Sequence, residues 1–271
     1  MQLDQQRIVV RERSYVDLLD LALRVIRAYA APLAGLFFLG IVPAMILNFY
    51  LLHGQDVQVN ESYIPGQYIF RMVMLTLIEI PLATAPITLY LGHSLFMERP
   101  QAKHLVKEFI HSLPQMLLFQ VVLRIPLLLL YITWILLFGA WPYMTEVILL
   151  ERNPLFRRRP GQMTTIRRIG ALHAGGMGEL FPRWLASMAF GAALFASLWL
   201  SCLTFCGLLF NEWEWEGPTF TFFFPFCLWI VIGFFAVVRY LGYLDLRIRR
   251  EGWEVELLMR AEGARLTRQP L

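Results

Sequence analysis

Charged residues are scarce in this chain. They make up only 16% of its 271 residues, whereas 58% are hydrophobic. Soluble domains usually contain about 25% charged and about 45–50% apolar residues. The shortage of charge and the excess of apolar residues together argue against an ordinary water-soluble domain. They are typical of a protein that is solvated by lipid.

Short motifs that carry common enzyme chemistry are also missing. The sequence contains no HExxH metal-binding motif, no GxSxG nucleophile elbow and no GxxxxGK[ST] phosphate-binding loop. By spacing alone, the five histidines form no close ligand pair. We therefore predict no metal site, no cofactor and no catalytic residue, and we expect that the protein is not an enzyme.

Cysteine is rare too, with three residues that all lie in apolar runs. Cys202 and Cys206 are four apart on one predicted helix face, and no histidine lies near them to complete a metal site. Small buried hydrophobic side chains are the favoured interpretation of these cysteines. A disulfide between Cys206 and Cys227, across the loop that joins their helices, is the alternative.

Lysine and arginine are absent from two polar stretches, residues 53–67 and 211–218, which carry acidic residues instead. Of the 24 basic residues, 22 lie in four other segments: 1–28, 99–113, 152–183 and 239–271. Membrane proteins keep positive charge on the cytoplasmic side of the membrane. We therefore expect the basic segments inside and the two acidic loops outside. This distribution indicates membrane topology and contact with anionic lipid, and it argues against nucleic-acid binding.

Long apolar runs predict about six membrane-spanning helices, since about 20 residues cross the hydrocarbon core. The predicted spans are 30–52, 68–97, 114–134, 136–151, 184–210 and 219–242. Both flanks of 114–151 are basic, which favours a hairpin of two short spans, with a re-entrant pair as the alternative. The fold class is thus an all-α, polytopic transmembrane bundle. We expect one integral domain, 1–271, in a bacterial inner membrane with both termini cytoplasmic.

Three further segments are predicted to be amphipathic or charged helices on the cytoplasmic side. Residues 14–28 begin with a capping box formed by Ser14 and Asp17 and then repeat apolar residues at helical spacing. Residues 99–113 have a similar apolar side, and residues 243–266 continue the last span as a charged helix. Such helices lie in the membrane interface or pack on their own bundle.

The fifth predicted span contains a ridge of small residues at a strict four-residue interval: Ala189, Ala193, Ser197 and Ser201. Small side chains let two helices approach closely within a membrane. The ridge therefore predicts a close contact between this span and another helix.

A few ionisable residues and prolines fall within the apolar runs, where charge is expensive and usually paired. They are Glu79, Pro81, Pro86, Arg124 and Glu146. One interpretation is a polar pathway, because each proline removes a backbone hydrogen bond beside Glu79. The other is a structural ion pair, either Glu79–Arg124 or Glu146–Arg124. The sequence leaves both open.

A dense group of basic residues separates the fourth and fifth predicted spans: Arg157, Arg158, Arg159, Arg167 and Arg168. Each basic residue near an anionic surface contributes about 1 kcal/mol to membrane binding. We predict that these arginines contact anionic lipid headgroups. Solvated charge that only sets the topology is an equally good account.

Three stretches of the chain resemble a set of bacterial membrane proteins. They are DLLDLALRVIR at 17–27, TEVILLERN at 145–153 and YLDLRIRREGWEVELL at 243–258. These proteins are similar to the membrane domain attached to some glycerophosphoryl diester phosphodiesterases. The resemblance implies an all-helical bundle in a bacterial inner membrane. The separate catalytic barrel of those enzymes has no counterpart here, so no catalytic residue is carried over.

Two functions are consistent with these patterns. The first is a non-enzymatic membrane scaffold or accessory subunit that contacts anionic lipid and binds a protein partner through its C-terminal helix. The alternative is a permease-like transporter with a site near Glu79 and Arg124. The charged C-terminal segment and the missing catalytic motifs favour the scaffold.

Overall fold

Helices form all the regular structure in the described part of the chain. The computed structural model describes residues 14–52, 66–94, 101–122, 142–156, 162–174, 177–210 and 222–252. The α-helices, in chain order, are α1 Tyr15–Ala28, α2 Ala30–Leu52, α3 Gly66–Ala83, α4 Ala85–Ser94, α5 Ala102–Met116, α6 Met144–Glu146, α7 Thr165–His173, α8 Met177–Phe210 and α9 Phe224–Glu251. Two π-helical segments, π1 Leu117–Val122 and π2 Val147–Glu151, follow α5 and α6.

Within the described ranges, four helical stretches are long and apolar enough to cross a membrane. They are Ala30–Leu52, Gly66–Ser94, Gly178–Leu209 and Phe224–Glu251. The all-helical prediction is confirmed for this part of the chain, and these stretches correspond to four of the six predicted spans. The predicted hairpin of spans 114–134 and 136–151 is not tested, because residues 123–141 lie outside the described part.

Helix α1 begins with the capping box that the sequence predicts. The Asp17 amide donates to Ser14 Oγ at 3.2 Å, and the Ser14 amide donates to Asp17 Oδ2 at 3.2 Å. Leu18, Ala22 and Val25 are buried along one side of the helix, which packs against α9. Of the two predicted placements, the structure therefore shows packing on the bundle itself.

Helices α3 and α4 form one rod that is interrupted at Thr84. The Thr84 amide still donates to the Ile80 carbonyl at 3.0 Å, and the Thr88 amide donates to the Thr84 carbonyl at 3.2 Å. Pro81 and Pro86 each lack the amide proton that this ladder would use. The backbone hydrogen bonds are therefore missing at Pro81 and Pro86 but continue through Thr84.

Helix α9 is the centre of the bundle. Trp229, Tyr240 and Tyr243 are among the largest fully buried side chains, and α1, α4 and α8 pack around them. Helices α2 and α8, by contrast, leave most of their apolar side chains exposed, including Tyr50 and Leu208. Large exposed apolar faces on two outer helices are what a lipid environment requires.

The ridge of small residues on α8 faces away from the described bundle. Its four members, Ala189, Ala193, Ser197 and Ser201, are all exposed. The contact between α8 and α9 uses Gly191 instead, where an added Cβ would lie 3.0 Å from the Phe235 ring. The predicted close approach of another helix therefore does not occur at this ridge within the described residues.

Helix α9 ends earlier than the sequence predicts. It runs without a break from the apolar span into the charged segment, but its last residue is Glu251 rather than residue 266. Gly252 follows in the left-handed conformation, with φ of 58°, which is a common way to end a helix. The rest of the predicted charged helix lies outside the described residues.

Candidate functional site

The carboxylate of Glu146 is fully buried and forms an ion pair with Arg239 of α9. Arg239 Nε donates to Glu146 Oε1 at 2.5 Å, and Arg239 Nη2 donates to Thr84 Oγ1 at 3.1 Å. An ion pair of Glu146 with Arg124 is one of the interpretations that the sequence leaves open, and it is not tested because Arg124 lies outside the described residues. The observed partner is Arg239, 93 positions away in the chain. A contact of that separation leaves no signal in local spacing.

Glu79, which lies in the candidate span Gly66–Ser94, takes a different partner. Asn48 Nδ2 of α2 donates to Glu79 Oε2 at 2.8 Å. Glu79 Oε1 is buried and has no hydrogen-bond partner among the described residues. The predicted Glu79–Arg124 pair is not tested, because Arg124 lies outside those residues. A bond from a neutral amide leaves the Glu79 carboxyl without a cationic partner in the described part of the chain.

A cavity of about 560 Å³ lies between α2, the α3–α4 rod and α5. Its wall includes two members of the predicted polar pathway, Glu79 and Pro86, and is otherwise apolar. Neither Pro81 nor Glu146 lines it, so the structure brings together only part of the predicted pathway. The other lining residues include Leu39, Pro43, Leu47, Leu82, Val106 and Phe109.

An ionic network joins the C-terminal end of α9 to π2 and α7. Arg168 Nη2 donates to Glu151 Oε1 at 2.9 Å, and the Tyr243 hydroxyl donates to the same oxygen at 2.8 Å. Arg168 also pairs with Glu251, which in turn accepts from Arg247 Nε at 2.9 Å. The last contact joins residues four positions apart on one helix, a spacing that brings side chains together.

The network has a clear electrostatic effect on its central carboxyl. Burial acts to raise the pKa of Glu151, but the hydrogen bonds from Arg168 and Tyr243 outweigh it and hold the pKa below its usual value of 4.5. The same hydrogen bond shifts the pKa of Arg168 in the opposite direction, above its usual value. Both groups are therefore charged across the physiological pH range.

This network includes one of the arginines that are predicted to contact lipid headgroups. Arg168 is only 17% exposed and pairs with Glu151 and Glu251, and its predicted contact with a headgroup stays a prediction. Arg167, its neighbour on α7, is exposed. The others, Arg157, Arg158 and Arg159, lie outside the described residues.

A second internal network ties α8 to α9 through a buried carboxylate. Asp245 is 2% exposed and accepts from Arg183 Nη1 at 2.8 Å and from Arg249 Nε at 3.0 Å. The two arginines come from different helices, so the contact fixes how α8 sits against α9. Several of the basic residues that the sequence assigns to topology thus also hold the bundle together.

Two histidines and a glutamate meet where the end of α4 faces the start of α5. His93 Nε2 lies 3.2 Å from Glu108 Oε2, and His104 Nδ1 lies 2.7 Å from Glu108 Oε1. Arg152 also contacts this carboxylate. The prediction that the histidines form no close ligand pair therefore missed this cluster. The available signal was the four-residue spacing of His104 and Glu108 on one helix.

None of the three cysteines forms a disulfide, so the Cys206–Cys227 bridge, the predicted alternative, is absent. Cys202 Sγ of α8 lies 3.6 Å from Cys227 Sγ of α9. It is therefore Cys202, and not Cys206, that faces Cys227. Cys227 is buried, as the favoured interpretation expects, whereas Cys202 and Cys206 are only half-buried.

Together these features define a class: a helical protein whose described part contains four helices suited to a membrane. Comparison of the chain with protein-family models, curated proteins and solved structures finds no match. The resemblance to the membrane domain of glycerophosphoryl diester phosphodiesterases accordingly stays a prediction. The cavity and the charged clusters are the features of the described residues that bear on function.

Proposed function

We propose that this protein is a non-enzymatic membrane scaffold that holds the acyl chain of a membrane lipid in the cavity between α2, α4 and α5. The single observation that carries the proposal is the cavity itself, with a volume of about 560 Å³. Small-molecule sites typically enclose about 300–1,000 Å³ and are mostly apolar with few polar groups. Among the described residues that line it, Glu79 alone is ionisable.

The position of the cavity supports a lipid occupant. Two of its walls, Ala30–Leu52 and Gly66–Ser94, are candidate membrane spans, and the third is the amphipathic helix α5. Leu39, Leu47 and Val106 line the cavity and are also exposed on the outside of the bundle. An acyl chain reaching the protein from the bilayer would therefore meet a continuous apolar surface.

The intramembrane charges support a scaffold over an ion pathway. Arg239 neutralises the Glu146 carboxylate through Oε1 and also donates to Thr84 Oγ1. A buried carboxylate that has an arginine partner favours one arrangement of helices over an open ion path. The same holds for Asp245, which two arginines neutralise.

The proposal includes a membrane arrangement that goes beyond the four candidate spans. We propose about six spans in a bacterial inner membrane, both termini in the cytoplasm, and α1 and α5 at the cytoplasmic side. The basic segments would face anionic headgroups there through Arg157, Arg158, Arg159 and Arg167, and the C-terminal segment would bind a protein partner. The support is the charge asymmetry of the sequence.

This arrangement predicts which positions a membrane-impermeant thiol reagent can reach in intact cells. With the native cysteines replaced by serine, E61C and E214C should react from outside, whereas Q5C and R268C should react only after the cells are opened. Labelling of Q5C or R268C in intact cells would contradict the proposed orientation.

Native mass spectrometry from nanodiscs tests the lipid occupant. We expect the wild type to retain one phospholipid through mild activation, and L47W and V106W, which fill the cavity, to lose it. The matched controls I46W and I110W place the same bulk on exposed neighbours that do not line the cavity. Equal lipid retention in all four variants would refute the proposal.

Transport is the second candidate function, favoured by one observation. Glu79 lies on the cavity wall and leaves a buried carboxylate oxygen without a partner among the described residues. A carboxylate of this kind suits translocation of an amphiphile past the weakened helix at Thr84. In proteoliposomes, a fluorescently labelled phospholipid would then exchange between leaflets in the wild type and slow in E79Q. No exchange above empty liposomes would exclude this alternative.

A further inference from the structure

We propose that His93, His104 and Glu108 form a binding site for a divalent transition-metal ion, with Zn²⁺ as the best fit. One ligand atom from each residue lies within 4.8 Å of the other two. His93 comes from the last turn of α4, and the other two from successive turns of α5. The site is independent of the lipid cavity and of any function proposed for it.

The hydrogen bonding of His93 points to a cation at this place. Its Nδ1 lies 2.9 Å from the Leu89 carbonyl oxygen, which can only accept, so Nδ1 carries the proton. In the neutral ring, Nε2 is then a lone pair, and it faces a Glu108 oxygen at 3.2 Å. Two acceptors at this distance repel each other unless a proton or a metal ion lies between them. A backbone carbonyl on the far nitrogen is the usual support of a metal-bound histidine.

The burial and hydrogen bonding of the Glu108 carboxylate are a second, independent indication of a bound cation. The residue is only 6% exposed, and neither carboxylate oxygen has a hydrogen bond of acceptable geometry among the described residues. Its neighbours His93, His104 and Arg152 are close enough for ion pairing but are not aimed as donors. Arg152 balances the charge of Glu108, but a metal ion bonded to the carboxylate would supply the directed contact that its buried oxygens lack.

The donor set selects the type of metal. Two imidazole nitrogens and one carboxylate suit Zn²⁺ and other first-row divalent ions, whereas Mg²⁺ and Ca²⁺ prefer oxygen ligands throughout. Zinc ligands lie about 2.0–2.2 Å from the ion, so three tetrahedral ligand atoms are about 3.4 Å apart. His104 is 62% exposed and free to rotate to close the remaining distance. Three protein ligands leave a fourth position open.

Arg152 acts as the counter-ion of Glu108 when no metal is bound. Its guanidinium contacts Glu108 Oε1, and its side chain is 43% exposed, so it can move into solvent. Arg152 also has a left-handed backbone, with φ of 52°, an uncommon conformation for a residue with a side chain. A bound metal ion and this cation compete for the same carboxylate. Removing Arg152 should therefore strengthen metal binding.

The test is zinc binding to the full chain in detergent, purified through an affinity tag without histidine and stripped with a chelator. We expect one equivalent of Zn²⁺ by elemental analysis and a saturable calorimetric isotherm. H93A, H104A and E108Q should each weaken zinc affinity at least tenfold, because changes even to supporting residues of metal sites cost about 10–100-fold. H111A is the matched control, an exposed histidine on the same helix.

The variant R152Q distinguishes a metal site from a purely structural ion cluster. A metal site predicts a lower dissociation constant for zinc in R152Q, whereas a structural cluster predicts no change. Because the His104 side chain is largely exposed, H104A should fold normally, so a loss of zinc binding in this variant reports on the site itself. Co²⁺ then serves as a spectroscopic probe: visible absorption bands should appear in the wild type and in H111A, and should be lost in H104A. Zinc binding that is absent, or equal in H104A and H111A, would overturn the proposal.

Discussion

At the scale of single residues, Glu146 shows how this bundle accommodates charge. The carboxylate is fully buried; Arg239 of α9 donates to its Oε1 and also to Thr84 Oγ1, while its Oε2 has no hydrogen-bond partner among the described residues. Removing a charge from water costs several kcal/mol, and only a partner with good geometry offsets that penalty. The pair therefore contributes more to the choice of one packing arrangement than to net stability.

Breaking this pair should be strongly destabilising. We expect R239Q to lower the free energy of unfolding by about 3 kcal/mol, because it leaves Glu146 buried without its partner. The double variant E146Q/R239Q should recover part of that loss. Equilibrium unfolding in detergent measures both. R24Q breaks an exposed pair with Asp20 and should change stability by about 0.5 kcal/mol or less. Additive effects of E146Q and R239Q would show that the two groups do not interact.

The Glu151 network should make stability depend on pH on the acid side. The pKa of Glu151 is held below its unfolded value of 4.5, so its stabilising contribution is complete above that pH. It is lost as the pH falls through the lower folded value. We expect the difference in melting temperature between wild type and E151Q to be largest near pH 7 and to shrink below pH 4.5. The exposed Glu179 gives a control, E179Q, which should follow the wild type. A difference that grows toward acid would contradict this assignment.

At the scale of elements, α2 approaches the end of α3 closely at Gly40. A side chain at Gly40 would overlap the carbonyl oxygen of Ala83, so only glycine fits there. The overlapping atom belongs to the backbone and cannot rotate away. This contact sets the separation of two cavity walls, since Gly40 and Ala83 both line the cavity.

We expect G40A to destabilise the protein by roughly 1–3 kcal/mol, the usual effect of overpacking. G35A is the matched control on the same helix, because a side chain there meets nothing within 4 Å. It should be neutral or stabilise by up to about 1 kcal/mol, as alanine does relative to glycine in a helix. Thermal unfolding of the two variants side by side measures the contrast. Equal melting temperatures for both variants would show that α2 does not lie this close to α3.

Local elements were predictable because their signals are local. The capping box at Ser14, the apolar run of α2 and the Arg247–Glu251 pair all arise from residues a few positions apart. The site was less predictable, since its contacts join distant segments. Neither the Arg239 partner of Glu146 nor the meeting of His93 with Glu108 follows from spacing, because helix packing decides both.

At the scale of the whole molecule, burial divides the helices into a centre and a rim. Helix α9 is surrounded, whereas α2 and α8 expose apolar faces that only lipid or another chain could cover. Charged networks gather at one end of α9, around Asp245, Glu151 and Glu251. A long apolar body with an ionic end is the arrangement expected of helices that leave a membrane on a polar side.

The measurement that tests the lipid-holding scaffold most directly is photo-crosslinking with a phospholipid that carries a diazirine along its acyl chain. After irradiation in nanodiscs, we expect peptide mapping to find adducts on cavity residues such as Leu47, Leu82 and Val106, and L47W to abolish the adduct on Leu82. Adducts confined to the outer faces of α2 and α8, with Leu82 unlabelled in the wild type, would contradict a lipid held inside the bundle.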